Sequence, residues 1–322
     1  MARTWDIVGI GCASVDDLVF VPAWPAADSK LQVPRIERHF GGLTATALVA
    51  AARLGARCAF AGRLGTDALS DAVAANLVAH GIDVAAAPRS PDFSVVHAVI
   101  VVASQPPTRN IFFHVPGKLG AHEDLPAAEV IAAAKVLFID WHGMAGNLRA
   151  VRLARHHGTA VVADLEGEEQ PLMREVLALV DHVVMSHDFA SKITGQADPA
   201  AAAQALWHGH LAHAPRAGTP VPRRAAVVVT VGAEGCWWVD AADATPRHQP
   251  AFRVEVVDTT GCGDVFHGAY AAALAEGLPL AERVLRASAA AALKATRPGG
   301  QSGTPDRAAL DAFLGSPRAG VR

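Results

Sequence analysis

A chain of 322 residues with 51% hydrophobic residues and a formal net charge of −3 has the composition of a globular protein with a large core. The charge balance and the lack of a basic run argue against a nucleic-acid partner. No apolar stretch reaches the roughly 20 residues of a bilayer span, and the N-terminus lacks the blocks of a secretory signal. We therefore expect a cytoplasmic protein without a membrane partner.

Short β-branched runs alternate with Ala- and Leu-rich stretches along most of the chain. Near-continuous apolar runs predict strands buried on both faces, at 6–11, 58–65, 135–141, 160–165, 181–186 and 225–232. Helices are predicted between them, at 44–54, 69–80, 126–134, 147–157, 188–194 and 199–213. This βαβ order predicts an α/β fold with a mostly parallel sheet, in a single domain over residues 1–322.

Two regions break this alternation. Residues 16–40 and 93–115 have extended and turn patterns without helices. They predict a small β-sheet near the carboxyl ends of the main strands, where open α/β folds bind ligands. Such a sheet would act as a lid, although an ordinary edge hairpin is the alternative. Its exposed strands also favour a homodimer that forms by edge pairing through the lid.

The segment VVDTTGCGDVFHG at 256–268 carries the strongest chemical signal. A strand ends, a Thr-Thr-Gly turn follows, and a helix begins near Gly263. The small residues Gly261, Cys262 and Gly263 leave backbone N–H groups free to bind an anion. Asp264 in the first turn could accept a hydroxyl proton during phosphoryl transfer. The structural alternative is a carboxylate that only stabilises the helix dipole.

Two motifs carry a family resemblance. DTTGCGDVFHGA at 258–269 resembles the C-terminal signature of the ribokinase family (PfkB-type carbohydrate kinases). Residues 40–67 resemble its N-terminal signature, a Gly-Gly pair, a helix ending in Leu-Gly, and G-x-x-G-x-D. The resemblance implies a ribokinase-like three-layer α/β/α fold and ATP-dependent phosphorylation of a sugar. Asp264 would be the catalytic base beside an anion hole of Gly261, Cys262 and Gly263.

The same resemblance implies the ligand-binding residues. Asp16 and the Gly41–Gly42 pair would hold substrate hydroxyls. A turn after a strand and the stretch 288–302 would bind the nucleotide, through Thr230, Gly232, Gly235, Thr260 and Gly300. The implied cofactors are ATP and Mg²⁺. Potassium is a further implication, held behind the anion hole by backbone oxygens near Asp258, Thr260 and 288–302.

Two positions depart from the family pattern. Thr46 stands where members commonly carry an Asn that touches sugar hydroxyls, and Thr lacks the paired donor and acceptor of the amide. The sequence SHDF at 186–189 replaces the N-x-x-E motif that organises magnesium. Asp188 is therefore the candidate magnesium residue.

The substrate prediction depends on three further positions. Several segments resemble sulfofructose kinases, but of the expected sulfonate contacts only Lys30 is kept, while His114 and Asp140 replace the others. Because an Asp would repel a sulfonate, the sequence predicts a neutral ketohexose or related sugar, phosphorylated on a primary hydroxyl. Asp140 could accept a bond from a sugar hydroxyl or cap a turn.

Two other functions stay open at the sequence level. The aromatic residues Phe112, Phe113 and Trp141 are compatible with a nucleoside kinase on the same fold. The departures at Thr46 and 186–189 are compatible with a non-catalytic sugar-sensing protein. The intact DTTGCGD segment favours an active sugar kinase over both.

Overall fold

A computed structural model describes residues 3–167, 169–212 and 224–316 of the chain. Two sheets organise them, one with eight strands and one with four. No helix within these residues is long and apolar enough to cross a membrane. The ends of the predicted domain, 1–2 and 317–322, lie outside the described residues, and a single domain over 1–322 stays a prediction.

The secondary structure alternates strands and helices through most of the chain. The strands are β1 (Trp5–Ile10), β2 (Ser14–Val21), β3 (Arg35–Gly41), β4 (Cys58–Phe60), β5 (Val96–Ser104), β6 (Pro107–His114), β7 (Ala134–Asp140), β8 (Ala160–Asp164), β9 (His182–Ser186), β10 (Ala226–Thr230), β11 (Cys236–Asp240) and β12 (Arg247–Gln249). The α-helices are α1 (Leu43–Arg53), α2 (Ala68–Ala79), α3 (Ala128–Ala132), α4 (Met144–His157), α5 (Met173–Leu179), α6 (His187–Thr194), α7 (Pro199–His208), α8 (Cys262–Ala275), α9 (Leu280–Ala295) and α10 (Arg307–Leu314).

The large sheet has the order β12-β11-β10-β9-β8-β7-β1-β4. Strands β10 to β4 in this order pair in parallel, and β11 and β12 add two antiparallel strands at one edge. The mostly parallel sheet is therefore confirmed. Helix α7 ends at His208, where Gly209 adopts a left-handed conformation, and residue 213 of the predicted helix lies outside the described residues.

Helices cover both faces of this sheet and bury two separate cores. Along β1, Ile7 belongs to the core that α1, α8 and α9 cover, whereas Val8 belongs to the core under α4, α5 and α7. Successive side chains of a strand point to opposite faces, so both must be apolar when both faces are covered. This requirement explains the uninterrupted apolar runs of the sequence.

The second sheet forms the predicted lid. Its order is β3-β2-β5-β6, with β2 and β5 parallel and the outer pairs antiparallel. Two of its connections to the main body are short, since β1 ends at Ile10 and β2 begins at Ser14, while β3 ends at Gly41 and α1 begins at Leu43. The lid therefore rises from the carboxyl end of β1.

Helices α1 and α8 approach each other at backbone distance. A Cβ atom added to Gly268 of α8 would lie 2.1 Å from the carbonyl oxygen of Ala47 and 2.9 Å from Cβ of Ala50, both in α1. Real Cβ atoms do not come so close, and the obstacle is backbone rather than a flexible side chain. Only glycine fits at this crossing.

We expect Gly268→Ala to lower the free energy of unfolding by roughly 1–3 kcal/mol, because the added methyl group must push the two helices apart. Gly315→Ala is a matched control: Gly315 has φ −80°, and its added Cβ would meet nothing closer than 3.4 Å. Denaturant unfolding of the two variants checks this prediction. Equal free energies of unfolding for the two variants would show that α1 and α8 can move apart without cost to accommodate the methyl group.

Candidate active site

The N-terminus of α8 presents free backbone donors. Gly261 precedes the helix with φ 76°, a left-handed conformation that favours glycine. The amide of Cys262 donates to the Thr259 carbonyl oxygen at 3.2 Å. Within the described residues, the amides of Gly261, Gly263 and Asp264 have no such acceptor. The free donors therefore differ from the predicted set, with Asp264 taking the place of Cys262.

A cavity of about 710 Å³ opens beside these amides. Its walls come from the β10–β11 turn, the segment before α8, and one side of α9. Many of its lining residues are apolar, as an aromatic base requires. The predicted site residues Thr230, Gly232, Gly235, Cys262 and Gly263 all line it, whereas the lining does not include Thr260 and Gly300.

Asp264 lies where several acidic side chains converge. Burial raises the pKa of Asp264 to about 8, and the negative charges of Asp164, Glu166 and Asp140 act in the same direction, while His267 acts against them. Asp140 and Asp164 end the neighbouring strands β7 and β8, so their carboxyl ends meet at one edge of the sheet. Such a carboxyl group is suited to proton transfer near neutral pH.

Asp164 and His267 form a buried contact next to this group of acidic residues. Both are buried, and His267 Nδ1 lies 3.5 Å from Asp164 Oδ2. The two ring nitrogens of His267 also face the carbonyl oxygens of Gly263 at 2.8 Å and Val184 at 3.0 Å. Burial raises the pKa of Asp164 well above its usual range.

Sequence reasoning missed Asp164, Glu166 and His267. The available signal was position, because Asp164 ends a predicted strand and His267 stands inside the signature segment.

The acidic residues whose charges act on Asp264 are candidate magnesium ligands beside the predicted Asp188. Asp188 is exposed in the first turn of α6, where Ser186 caps the helix by accepting a bond from the Phe189 amide. The charges that act most strongly on Asp264 are instead Asp164, His267, Glu166 and Asp140. Carboxylate oxygens are the ligands that Mg²⁺ prefers, and a divalent cation would relieve the repulsion among them.

The predicted sugar residues surround the junction of β2, β3 and α1. A Cβ added to Gly41 would lie 2.7 Å from Asp16 Oδ2 and 2.5 Å from Ser14 Oγ, so glycine leaves room for these polar groups. Gly42 has φ 89° and caps α1. Burial raises the pKa of Asp16, although a bond from Ser14 opposes the shift. The structure brings Asp16, Gly41 and Gly42 together.

Thr46 is buried and engaged by a neighbour. Its hydroxyl oxygen accepts a bond from Gln301 Nε2 at 3.3 Å, and Gln301 Oε1 accepts a bond from Asn76 at 2.8 Å. The same Gln301 nitrogen lies 3.5 Å from the Gly41 carbonyl oxygen. Thr46 thus connects the sugar side to the loop after α9, and Gln301 is a residue that sequence reasoning did not identify.

Asp140 lies inside the protein rather than on a pocket wall. Its Oδ2 accepts bonds from the Cys12 amide at 2.6 Å and Thr44 Oγ1 at 2.9 Å, and its Oδ1 accepts the His142 amide at 2.8 Å. Burial would raise the pKa of Asp140, but His142 and the Cys12 amide hold it below the usual range. This carboxylate is fully enclosed and its oxygens accept bonds from protein donors, and its predicted effect on the substrate stays a prediction.

A hydrogen bond joins the lid to the α8 segment. Arg109 of β6 donates to Thr260 Oγ1 at 2.6 Å. Lys30 and His114, the two predicted substrate residues of the lid, are exposed. Thr260 also donates its amide to Asp258 Oδ1 at 2.9 Å, so it joins the lid to the segment before α8.

The fold and the site together define a phosphotransferase. A carboxyl group with a raised pKa and free helix-terminal amides lie at the start of α8, next to a nucleotide-sized cavity. Residues 6–307 match the pfkB family of carbohydrate kinases, and the chain belongs to that family. It is a carbohydrate kinase.

Comparison with known proteins supports the same assignment. The chain is 30% identical to mouse ribokinase over 93% of its length and 91% of the relative's. It is 24% identical to Salmonella typhi deoxyribokinase over 96% and 98% of the two chains. The structure of Arabidopsis thaliana ribokinase with ribose and ATP superimposes with a TM-score of 0.82 at 24% identity, covering 98% of this chain and 100% of the other. The ribokinase-like fold is confirmed.

The pKa of Asp264 predicts the pH profile of the enzyme. Since the base must be ionised to accept a proton, kcat/KM should fall as the pH drops below about 8. Glu166→Gln should move this acid limb to lower pH, because the charge of Glu166 raises the pKa of Asp264. Glu129→Gln, in α3, is the control and should leave the limb in place. An acid limb near the ordinary carboxyl value of about 4 would contradict the assignment.

Proposed function

We propose that the protein transfers the γ-phosphoryl group of ATP to a primary hydroxyl of a sugar, with Asp264 as the general base. One observation carries the proposal: a carboxyl group with a pKa of about 8 stands in the first turn of α8, next to free amides of which Gly263 lines a nucleotide-sized cavity. A proton acceptor beside an anion site is what phosphoryl transfer requires.

The proton moves from the sugar hydroxyl to Asp264 as the oxygen attacks phosphorus. The amides of Gly261, Gly263 and Asp264 stabilise the negative charge that develops on the phosphoryl oxygens. Asp164 and Glu166 are the residues that would hold magnesium, with Asp188 as the alternative from the sequence. Magnesium supplies charge neutralisation at the phosphate oxygens when it is bound.

For the substrate we propose a neutral ketohexose, with pentoses as the second candidate. Asp16, the Gly41–Gly42 pair and the ring of His142 supply hydrogen-bonding groups rather than a guanidinium, which suits hydroxyls. Pentoses are included because relatives are named ribokinase and deoxyribokinase. A nucleoside remains a third candidate, because Phe112 and Phe113 of the lid are exposed.

Replacement of Asp264 tests the catalytic assignment. Asp264→Ala and Asp264→Asn should lower kcat by roughly 100- to 10,000-fold, because the general base is removed. ATP binding, measured by calorimetry, should be retained. Near-normal turnover of either variant with the best substrate would refute the role of Asp264.

The same variants test the raised pKa through stability. Burial disfavours the charged carboxylate, so the folded state holds its proton more tightly than the unfolded chain, and stability is lost as the pH rises from about 4 to about 8. Asp264→Asn should therefore melt at a higher temperature than the wild type above pH 8. The difference should shrink towards pH 4.

A substrate panel tests the sugar assignment. Release of ADP would be compared for fructose, tagatose, ribose, deoxyribose, sulfofructose and adenosine, each with ATP and magnesium. The proposal predicts the highest kcat/KM for one of the neutral ketohexoses. Preference for a pentose would favour the second candidate substrate, and preference for adenosine or sulfofructose would exclude a neutral ketohexose.

We also propose that the lid forms a homodimer. Ile111, Phe112 and Phe113 on the edge strand β6 are each more than half exposed, and Ile36 of the other edge strand is 65% exposed. Exposed apolar strands of this kind mark interaction surfaces.

Light scattering tests the dimer. The wild type should have twice the chain mass, and Phe113→Asp should shift the protein towards the monomer, because a charge would be buried in the interface. Val78→Asp is the control, since Val78 is similarly exposed but belongs to α2 rather than to a lid strand. A monomeric wild type, or equal dissociation of both variants, would exclude the lid as the interface.

A further inference from the structure

A buried lysine lies directly behind the anion site. Lys294 stands in the last turn of α9, and its side chain is completely buried. Its Nζ donates to the backbone carbonyl oxygen of Asp258 at 2.7 Å and lies 3.6 Å from Asp258 Oδ2. Lysine is almost never fully buried unless its charge is compensated. The protein therefore holds a fixed positive charge at this point.

Asp258 connects this ammonium to both loops of the site. Its Oδ1 accepts the Thr260 amide at 2.9 Å and its Oδ2 accepts the Gly299 amide at 2.8 Å. The amides of Val257 and Asp258 donate to the Ala295 carbonyl oxygen. The segment before α8 and the loop after α9 are thus held together around one cation, at the end of α9 where the helix dipole favours positive charge.

The loop after α9 also encloses the stem of the lysine. A Cβ added to Gly303 would lie 3.2 Å from Lys294 Cε. The ammonium cannot leave this place without a rearrangement of the loop, so its charge belongs to the folded structure.

The ammonium occupies the region where the sequence predicted potassium. That ion would need backbone oxygens near Asp258, Thr260 and the stretch 288–302, and Lys294 Nζ already takes the Asp258 oxygen. Ammonium and potassium are similar in size and carry the same charge, so both cannot share this place without strong repulsion. The residues present therefore do not fit a potassium ion.

We propose that Lys294 is a built-in substitute for a monovalent cation, so that phosphoryl transfer by this protein does not depend on potassium. Lys294 is a positioning residue in this role, since it touches neither ATP nor the sugar hydroxyl. It holds the segment before α8 in the shape that presents the free amides. The inference rests on the proposed phosphoryl transfer for one of its two readouts.

The influence of this charge reaches the anion site. Burial raises the pKa of the Cys262 thiol, and the positive charge of Lys294 opposes that shift. Cys262 is the first residue of α8 and lies next to Gly261 and Gly263. The same field favours negative charge on a phosphoryl group held at these amides.

The first readout is activity in different salts. Wild-type kcat/KM should change less than about twofold between potassium chloride and tetramethylammonium chloride at equal ionic strength, since the tetramethylammonium ion is too large to enter the site. Lys294→Ala should lose roughly tenfold or more in tetramethylammonium and recover in potassium, because truncation opens a place for the ion. Lys294→Met should lose activity in both salts, because its uncharged side chain fills that place.

The second readout is thermal stability, which does not require turnover. Potassium should raise the melting temperature of Lys294→Ala relative to tetramethylammonium, because an ion that binds only the folded state stabilises it. The wild type and Lys294→Met should show no such difference. If no sugar is phosphorylated in any salt, the proposed function fails, and this readout still decides the role of Lys294.

Three results would overturn the inference. The first is a wild type that potassium activates several-fold, which needs no variant and therefore holds even if the substituted proteins do not fold. The second is full activity of Lys294→Ala in tetramethylammonium. The third is a potassium-dependent rise in the melting temperature of the wild type equal to that of Lys294→Ala.

Discussion

Crowding of negative charge at one edge of the parallel sheet is the constraint on which the site depends. Asp140 and Asp164 end adjacent strands, Glu166 follows, and Asp264 approaches them from α8. Parallel strands bring their carboxyl ends to the same edge, so the fold itself produces this convergence. The acids differ in protonation, because hydrogen bonds keep Asp140 in its charged form while burial and like charge raise the pKa of Asp164 and Asp264.

Two buried nitrogen-bearing side chains lie near this charge. His267 Nδ1 lies 3.5 Å from Asp164 Oδ2, and Lys294 Nζ donates to the Asp258 carbonyl oxygen in the segment before α8. Both are buried and belong to the chain. Magnesium that arrives with the nucleotide is then the part of the charge balance that does not belong to the chain. Before it arrives, the carboxylates repel one another, and an active site of this kind lowers the stability of the fold in exchange for reactivity.

Much of the fold could be predicted from the sequence, because a sheet covered on both faces forces long apolar runs. The lid could also be predicted, since 16–40 and 93–115 lack helical periodicity. The antiparallel strands β11 and β12 were missed because they are short and depend on the turn at Gly235, whose added Cβ would lie 2.1 Å from the Gln249 carbonyl oxygen. Such a contact between distant segments leaves no periodic signal.

The candidate site also has a part that the sequence can predict and a part that it cannot. Asp264 and the small residues before it form a local motif, so the sequence alone could point to them as candidates. The orientation of Asp140 and the approach of Lys294 to Asp258 depend on tertiary packing, and local sequence does not encode either.

The crossing at Gly268 has a consequence for how the enzyme moves. Helix α1 begins next to Gly41 and Gly42, which we propose bind the sugar, and α8 begins at the amides that we propose bind the phosphate. Because the two helices meet backbone to backbone, the proposed acceptor and donor sites are held at a distance that side-chain motion cannot adjust. The main body therefore keeps this distance fixed, and access to the site depends on the lid. The lid contacts the α8 segment through the hydrogen bond between Arg109 and Thr260.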